Sequence, residues 1–444
     1  MVDVSLGAPR VSRRSSLFLE TSVGDLALLL FLNLALFGEA IQGAMGFSYC
    51  DEIATIAVVC AAFFRFHASK NALADGMSTS SKLALIWLFV VVSAAFLGNA
   101  FCGVHASTAA ILTDFLTCCK FPIALIASIY AFACSERLSA LFEIEAKILL
   151  VVMTVLGIGN LFFDFGMGSE ARFGIRASFT LVSMEKDVSP KKKGAVARLL
   201  DFAGPRKALT YLGCALSAAS MLTAFLMKDR ERNMPFIVMG MLVVLLSLRS
   251  KGFAFAAVCL LLLLTFGKSN RLSVVHIALG LVAVALIGMD QYINYYQSAG
   301  YARGELARQA IAVANDYFPL GTGFATYGSA VTAQIDNYSP LYYAYGLSTV
   351  WGLAPGAASF LSDTFWPTVL AQFGYFGLVA FAALLIALFV MCYKAGGGSR
   401  LPVICVFAYL LISSTSESSF FNPSAAYLAM CAGLAICPAG ERRS

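Results

Sequence analysis

The sequence predicts an all-α membrane protein, a polytopic bundle of about twelve transmembrane helices with a large outer loop that contains short helices. Three observations predict this fold. Of 444 residues, 59% are hydrophobic and only 13% are charged, which is too apolar for a soluble fold of this size. The apolar residues form blocks of about twenty, which match the hydrocarbon thickness of a bilayer. Between two blocks lies a long segment, 290–363, rich in tyrosine, proline and glycine.

The apolar blocks define the predicted spans. A helix satisfies its own backbone hydrogen bonds in hydrocarbon, so each block is predicted to be one. The blocks at 53–66 and 234–248 are short, and their boundaries are the least defined. In chain order the predicted spans are 26–43, 53–66, 83–104, 108–134, 148–166, 208–227, 234–248, 253–266, 273–289, 366–392, 401–414 and 422–437.

Lysine and arginine in the short connections predict the orientation, because basic connections stay on the cytoplasmic side during insertion. With the N-terminus inside, every inner connection is basic. The short outer connections at 48–52, at 103–107 and after Ser414 have neither Lys nor Arg, and only the turn 249–251 departs from this pattern. Both termini are therefore predicted to be cytoplasmic.

The pattern divides the chain into three regions. Residues 1–289 form a transmembrane bundle with a basic outer loop at 167–207, residues 290–365 form the large outer loop, and residues 366–444 form the C-terminal transmembrane helices. The loop 167–207 is basic although it is predicted to lie outside, and long loops can translocate despite charge. Two interpretations stay open: a miscounted helix would make it a cytoplasmic linker, whereas an outer position would offer its cations to an anionic lipid or phosphate.

Motifs for nucleotides and metals are missing from the sequence. It has no Walker loop, and Gly321, Gly323 and Gly328 lack the spacing of a dinucleotide site. The 12 cysteines lie mostly in apolar blocks, so no disulfide framework is implied. The 3 histidines are far apart, and no Asp-x-Asp pair is present to hold a metal with a sugar nucleotide. We therefore predict no cofactor, no metal and no nucleic-acid partner.

Two charged residues fall inside the predicted span 108–134. Asp114 and Lys120 are candidates for function, because charges inside a bilayer are costly. The alternative is structural: each neutralises a neighbour or lies near an interface. Glu39 and Gln42 add polarity near the outer end of the first span.

The segment 290–365 combines a helical start with dense aromatic residues. An amphipathic helix is predicted from Glu305, with Arg303 and Arg308 flanking its first turns. Aromatic faces stack on sugar rings while tyrosine hydroxyls reach sugar hydroxyls, so Tyr338 and Tyr342 are candidate sugar-binding residues. The alternative is an aromatic belt at the membrane interface, which is the interpretation favoured for Trp366.

Several motifs resemble the family of bacterial polysaccharide polymerases and O-antigen ligases, multi-spanning glycosyltransferases that use polyprenyl-diphosphate-linked sugars. They are FGIRASF at 173–179, SLRSKGF at 247–253, and RGELAR, DYFPLGTGFATYGS, YSPLY and SDTFWPTVLAQFGYFGL in and after the large loop. Ligases typically carry a histidine in that loop, whereas this loop has none. The polymerase branch is therefore favoured, and a divergent ligase stays open.

The resemblance implies a metal-independent enzyme of the bacterial inner membrane. It would polymerise lipid-linked repeat units into O-antigen, capsule or exopolysaccharide at the periplasmic face. Implied partners are the polyprenyl-diphosphate-linked glycans and membrane lipids, with a chain-length regulator and a flippase of the same pathway as candidates. A transporter or flippase of lipid-linked sugars is the alternative from another class, although the two halves show no internal repeat.

The resemblance also suggests which arginines act. Cleavage of the donor leaves negative charge on the lipid diphosphate, and a guanidinium group meets two phosphate oxygens at once. Arg176 and Arg303 are the first candidates for this role. The further candidates for binding the substrate are Arg172, Arg249 and Arg308.

The acceptor hydroxyl needs a base, and two outer-loop carboxylates lie near the family-like motifs. These are Asp363 and Glu305. Structural roles stay open for both: Glu305 can pair with Arg303 or Arg308 along the helix, and Asp363 can cap the next helix.

Overall fold

The structure is a computed structural model, and the part of the chain that it describes is built from helices and turns. Within these ranges there is no strand, so the predicted all-α class is confirmed for them. The described residues are 22–38, 41, 49–68, 78–132, 136–162, 216–247, 249–265, 282, 289, 301–333, 337–356, 360–361, 364–395 and 400–436.

Three of the described helices, α3, α4 and α11, are long and apolar enough to cross a membrane. Helices α1, α8, α12 and α13 are apolar but shorter. In chain order the helices are α1 (Val23–Leu36), α2 (Cys50–Ala68), α3 (Thr79–Phe101), α4 (Thr108–Ala131), α5 (Glu136–Phe162), α6 (Leu216–Leu226), α7 (Arg230–Leu246), α8 (Ser250–Thr265), α9 (Ala302–Asp316), α10 (Pro340–Ala344), α11 (Trp366–Ala395), α12 (Leu401–Ser413) and α13 (Ser424–Ile436).

The predicted spans agree broadly with these helices. Every predicted span except 273–289 overlaps one of them, and that span lies outside the described residues apart from positions 282 and 289. The basic loop 167–207 also lies outside them. Helix α5 begins earlier than predicted because its charged first turns are helical too, with Lys147 paired to Glu143 at 2.7 Å. The number of membrane crossings stays a prediction.

Serine side chains fix the starts of three helices. Ser22, Ser78 and Ser107 precede α1, α3 and α4. Each hydroxyl oxygen accepts a hydrogen bond from the backbone N–H three residues later, at 3.1, 3.1 and 3.2 Å. This bond satisfies one of the donors that a helix start leaves without a partner.

Small residues bring the helices close together. Helix α3 lies along α11, and α4 packs against both α2 and α13. Gly433 of α13 lies so close to Ser128 of α4 that an added Cβ would overlap the serine side chain. Gly240 of α7 meets Thr223 of α6 in the same way. Such close approach is typical of helices that pack within a bilayer.

The outer faces of the bundle carry large apolar side chains. Phe89 is 72% exposed, Leu264 is 77% exposed and Val379 is 67% exposed. In water, a continuous surface of this kind would promote aggregation, whereas in a bilayer it faces lipid chains. The surface therefore fits a membrane environment.

Ion pairs join helices whose ends the charge rule assigns to the inner side. Asp25 at the start of α1 pairs with Arg65 near the end of α2 at 3.1 Å. Glu143 of α5 pairs with Arg232 at the start of α7 at 2.5 Å. Because each pair joins two segments predicted to be cytoplasmic, the packing agrees with the predicted alternation at these helix ends.

Helix α11 is broken at Gly374, which has φ 66° and ψ −172°. A residue without Cβ adopts this conformation at little cost. At the break, the carbonyl groups of Ala371 and Gln372 accept hydrogen bonds from the backbone N–H groups of Thr322 (3.0 Å) and Gly323 (2.7 Å). Irregular backbone inside an apolar bundle needs internal partners, and here the loop and the broken helix supply them to each other.

The sequence predicted an aqueous loop throughout 290–365, and the structure differs in one part of it. Residues 321–329 are all buried against α3, α4 and α11. We call this segment the buried loop. Its glycines and small side chains allow close contact with helix backbones, which hydropathy does not reveal. Phe324 shows the fit, because its ring contacts those of Phe96, Phe115 and Phe373 at 5.3, 5.9 and 5.4 Å.

Gly98 of α3 provides a test of this packing. A Cβ added there would lie 2.8 Å from the Gly323 nitrogen and 3.2 Å from the Gly321 carbonyl oxygen. We expect Gly98→Ala to lower the free energy of unfolding by roughly 1–3 kcal/mol, because the methyl group pushes the buried loop away from α3. The apparent Tm of the purified protein in detergent measures this effect.

Gly24→Ala is the matched control. A Cβ at Gly24 meets only Ser22 Oγ, at 3.8 Å, and alanine favours the helix. The control should keep or raise the Tm, and an equal Tm for the two variants would contradict the proposed contact.

Candidate functional site

Asp114 anchors the buried loop. Its Oδ2 atom accepts hydrogen bonds from the backbone N–H of Ala325 (2.7 Å) and from the side-chain amide of Gln372 (2.9 Å). Ala325 has φ 60°, in the left-handed region that costs a residue with Cβ roughly 1–3 kcal/mol. Asp114 is buried on α4, so its carboxylate binds loop and broken helix together inside the bundle. The sequence left a functional and a structural interpretation of Asp114 open, and these contacts are structural.

Asn99 of α3 holds the next part of the loop. Its side-chain oxygen accepts from the Phe324 N–H at 2.8 Å, and its side-chain nitrogen donates to the Phe324 carbonyl at 2.9 Å. The amide therefore pairs with Phe324 as a neighbouring β-strand would. Gln372 adds a third contact by donating to the Tyr327 carbonyl at 2.8 Å. Three helices thus fix the loop through side-chain hydrogen bonds.

The buried loop in turn positions α9. The Tyr327 hydroxyl donates to the Leu306 carbonyl at 2.5 Å. Ala302, Leu306, Ala310 and Val313 form the buried face of α9. This face packs against the loop and α11. The start of α9, which carries Arg303, is therefore held at a defined place.

Positive charges from distant parts of the sequence meet beside α9. Lys251, in the first turn of α8, pairs with Glu417 at 2.5 Å. The guanidinium groups of Arg249 and Arg303 both lie within electrostatic range of the Lys251 ammonium. We call these four residues the basic cluster. Among these four side chains, cations outnumber carboxylates by three to one, a balance that suits a phosphate group.

Tight turns support the basic cluster. Arg249 directly precedes α8, and its carbonyl accepts hydrogen bonds from the N–H groups of Gly252 (2.8 Å) and Phe253 (3.2 Å). A Cβ on Gly252 would lie 2.8 Å from both the Ser247 hydroxyl and the Val244 carbonyl oxygen. Because residue 252 is a glycine, α7 and α8 approach each other closely. Arg249 and Lys251 lie together where the two helices meet.

The other predicted arginine and carboxylate of α9 pair with each other. Arg308 donates to both Glu305 oxygens, at 3.0 and 3.1 Å. Arg308 is 57% exposed, whereas Glu305 is 15% exposed. Pairing along the helix, one of the two roles left open for Glu305, is thus present. Arg172, Arg176 and Asp363 lie outside the described residues.

The two tyrosines that were predicted to bind sugar form hydrogen bonds within the protein. Tyr342 is fully buried, and its hydroxyl accepts from the Gly328 N–H at 2.7 Å. The Tyr338 hydroxyl donates to the Leu353 carbonyl at 2.7 Å. Burial raises the pKa of both phenols, that of Tyr338 to about 12 with a contribution from Tyr343. Both hydroxyls therefore stay protonated at neutral pH.

Other aromatic residues of the same region face outward. Tyr343 is 60% exposed and Trp351 is 80% exposed. The Trp351 ring lies beside that of Phe360, with 5.1 Å between centroids. In this arrangement Tyr343 and Trp351 offer the flat surfaces that sugar rings require, while Tyr342 offers none.

Lys120 lies about halfway along α4 and contacts two carboxylates at the start of α2. Its ammonium pairs with Asp51 and with Glu52, the latter at 2.5 Å. Lys120 and Asp51 are both buried. An unpaired ammonium would be costly there, and the carboxylates remove most of that cost.

The sequence interpretation missed several of these residues. Lys251 had a signal, because it lies in SLRSKGF and belongs to the one basic outer turn. Glu417 had none, since it stands alone in a serine-rich turn. Asn99 and Gln372 look like ordinary polar residues in apolar spans. Among the described residues, no three His, Cys, Asp or Glu side chains are close enough to hold a metal ion.

Comparison with known proteins adds no family assignment. The sequence matches no protein-family model and no curated protein. The function is therefore argued from the residues and their geometry.

The Asp114 anchor can be tested by substitution. Asp114→Ala leaves the Ala325 N–H and one N–H of the Gln372 amide without their acceptor, and each buried donor so orphaned costs about 1–3 kcal/mol. Asp114→Asn should cost less, because one carbonyl oxygen can still accept from both donors. We expect a large loss of apparent Tm for the alanine variant, with faster protease cleavage in 317–332.

Thr117→Val is the control on the same helix. Its hydroxyl donates only to the Thr113 carbonyl of α4, at 2.9 Å. If Asp114→Ala were as stable and as protease-resistant as this control, the anchor would have no structural importance.

Proposed function

We propose that this chain is a metal-independent glycosyltransferase that polymerises polyprenyl-diphosphate-linked repeat units at the periplasmic face of a bacterial inner membrane. The observation that carries the proposal is the basic cluster. Arg249, Lys251 and Arg303 come from two segments far apart in the sequence, and the charge rule assigns both segments to the outer side. A lipid diphosphate presents its phosphates at the same level of the membrane.

The cluster supplies what the reaction needs most. Cleavage of the bond between the donor sugar and the diphosphate moves an electron pair onto a phosphate oxygen. Guanidinium groups at Arg249 and Arg303 stabilise that charge, and their planar donors match two phosphate oxygens. The buried loop holds α9, so Arg303 is positioned before the substrate arrives, and little reorganisation is needed during the reaction.

The acceptor glycan fits the exposed aromatic surface. Tyr343 and Trp351 are exposed rings that follow the buried Tyr342 in the sequence. Stacking of sugar C–H groups on these rings would orient an acceptor whose lipid lies in the same bilayer. Binding of two lipid-anchored substrates side by side provides catalysis through proximity. Arg172, Arg176 and Asp363 remain candidates of the same proposal.

Two alternative functions stay open, and one of them is favoured by a specific observation. An O-antigen ligase would use the same donor site and differ only in the acceptor, but the large loop lacks the histidine that ligases typically carry. A transporter of lipid-linked sugars is favoured by the buried group of Lys120, Asp51 and Glu52, because charges inside a bilayer often mark a transport path.

The test uses purified protein in liposomes with the lipid-linked repeat unit extracted from the source organism. The wild type should form a ladder of longer glycans without added nucleotide or metal. Arg303→Ala should lower the rate of chain extension by about 100-fold or more, because the leaving group loses a charge partner. Arg303→Lys should recover only part of the rate.

Arg232→Ala is the matched control, because it removes an arginine that is 63% exposed at the opposite end of the bundle. Its rate should stay within about twofold of wild type, as for most surface substitutions. Full activity of Arg303→Ala would contradict the assignment of the basic cluster as the site of the leaving diphosphate. Transfer of the unaltered lipid across the bilayer without a ladder would favour transport instead.

A further inference from the structure

Glu417 is the carboxylate of the basic cluster. It lies in the turn between α12 and α13, on the side that the charge rule assigns to the exterior. Its side chain is 21% exposed, and one carboxylate oxygen contacts Lys251 at 2.5 Å. Among the described residues, its other oxygen has no hydrogen-bond partner.

Glu52 has an oxygen without a hydrogen-bond partner, but it pairs with Lys120 and not with the basic cluster, and three other described carboxylates near this end of the bundle are engaged. Both oxygens of Glu305 accept from Arg308. Asp316 accepts from the Tyr345 hydroxyl at 2.6 Å. Asp114 is buried and holds the loop. Of the described carboxylates on this side, Glu417 is the one that combines contact with the basic cluster and an oxygen left for a substrate.

The turn that carries Glu417 is rigidly held. Ser418 donates to the Thr364 carbonyl at 3.1 Å, which ties the turn to the start of α11. Ser419 donates to the Leu410 carbonyl at 2.8 Å, and Trp366 donates to the Ser414 hydroxyl at 3.0 Å. A carboxylate on such a turn keeps its place while substrates bind and leave, as an acid–base group must.

We propose that Glu417 is the general base that takes the proton from the acceptor hydroxyl, and that Lys251 is a positioning residue that orients its carboxylate. This inference rests on the proposed function. Arg249 and Arg303 keep their proposed role, which is to act on the leaving group. The base and the charge partners of the diphosphate then lie within one cluster.

The acceptor O–H proton moves to the free oxygen of Glu417, and the acceptor oxygen forms a bond to the anomeric carbon of the donor. The bond from that carbon to the phosphate oxygen breaks, and its electron pair leaves with the lipid diphosphate beside the arginines. Glu417 then returns the proton to water or to the departing diphosphate.

The test compares Glu417→Gln with wild type in the ladder assay, in which acceptor concentration is varied. We expect kcat to fall by about 100-fold or more with little change in KM for the acceptor, because glutamine keeps the shape but cannot accept a proton. Formate added to Glu417→Ala should restore part of kcat by supplying a small carboxylate. Asp316→Asn is the control on the same side and should keep wild-type kcat.

Three results would overturn the assignment. They are a kcat for Glu417→Gln within about threefold of wild type, an effect on KM or Tm alone with no rescue by formate, and recovery of activity in the double variant Lys251→Met/Glu417→Gln. Recovery would mean that Glu417 only neutralises Lys251. If Arg303→Ala is inactive while Glu417→Gln is active, only the base assignment fails. If the wild type forms no ladder, the proposed function fails and the assignment with it.

Discussion

The hydrogen bonds that Asp114 accepts from Ala325 and Gln372 are the constraint on which the end of the bundle around the buried loop depends. A buried carboxylate needs strong partners, and here the partners are a loop N–H and the side chain of a broken helix. If this contact were lost, the loop would have to find other acceptors inside an apolar bundle. The loop that this contact anchors also meets α11 at its break and contacts α9, which carries Arg303.

From this anchor the structure builds outward in steps. The buried loop contacts α9 through the Tyr327 hydroxyl, and Arg303 of α9 lies within electrostatic range of Lys251. The turn after α12 brings Glu417 to the same place. These contacts connect the apolar interior of the bundle to the basic cluster. For the proposed reaction, charges held in place before the substrate binds would reduce the reorganisation needed at the phosphate.

Much of the fold could be predicted from the sequence, and the reason is the bilayer. Apolar runs located the helices α3, α4 and α11, and the basic connections agreed with pairs such as Asp25–Arg65. The burial of 321–329 could not be predicted, since glycine, threonine and tyrosine in such a run are typical of an exposed turn. Asp114 was identified as a costly charge, but its partner Ala325 is 211 positions away, and no local pattern encodes that contact.

The candidate site shows the same limit. Arg303 and Arg249 were identified from motifs, whereas the ion pair between Lys251 and Glu417 links residues 166 positions apart. The most direct measurement of the central claim is binding of polyprenyl diphosphate and polyprenyl monophosphate to the protein in nanodiscs. Wild type should bind the diphosphate at least about tenfold more tightly, which corresponds to ~1.4 kcal/mol, and Arg249→Ala/Arg303→Ala should lose this preference. Equal preference in wild type and the double variant would contradict the account.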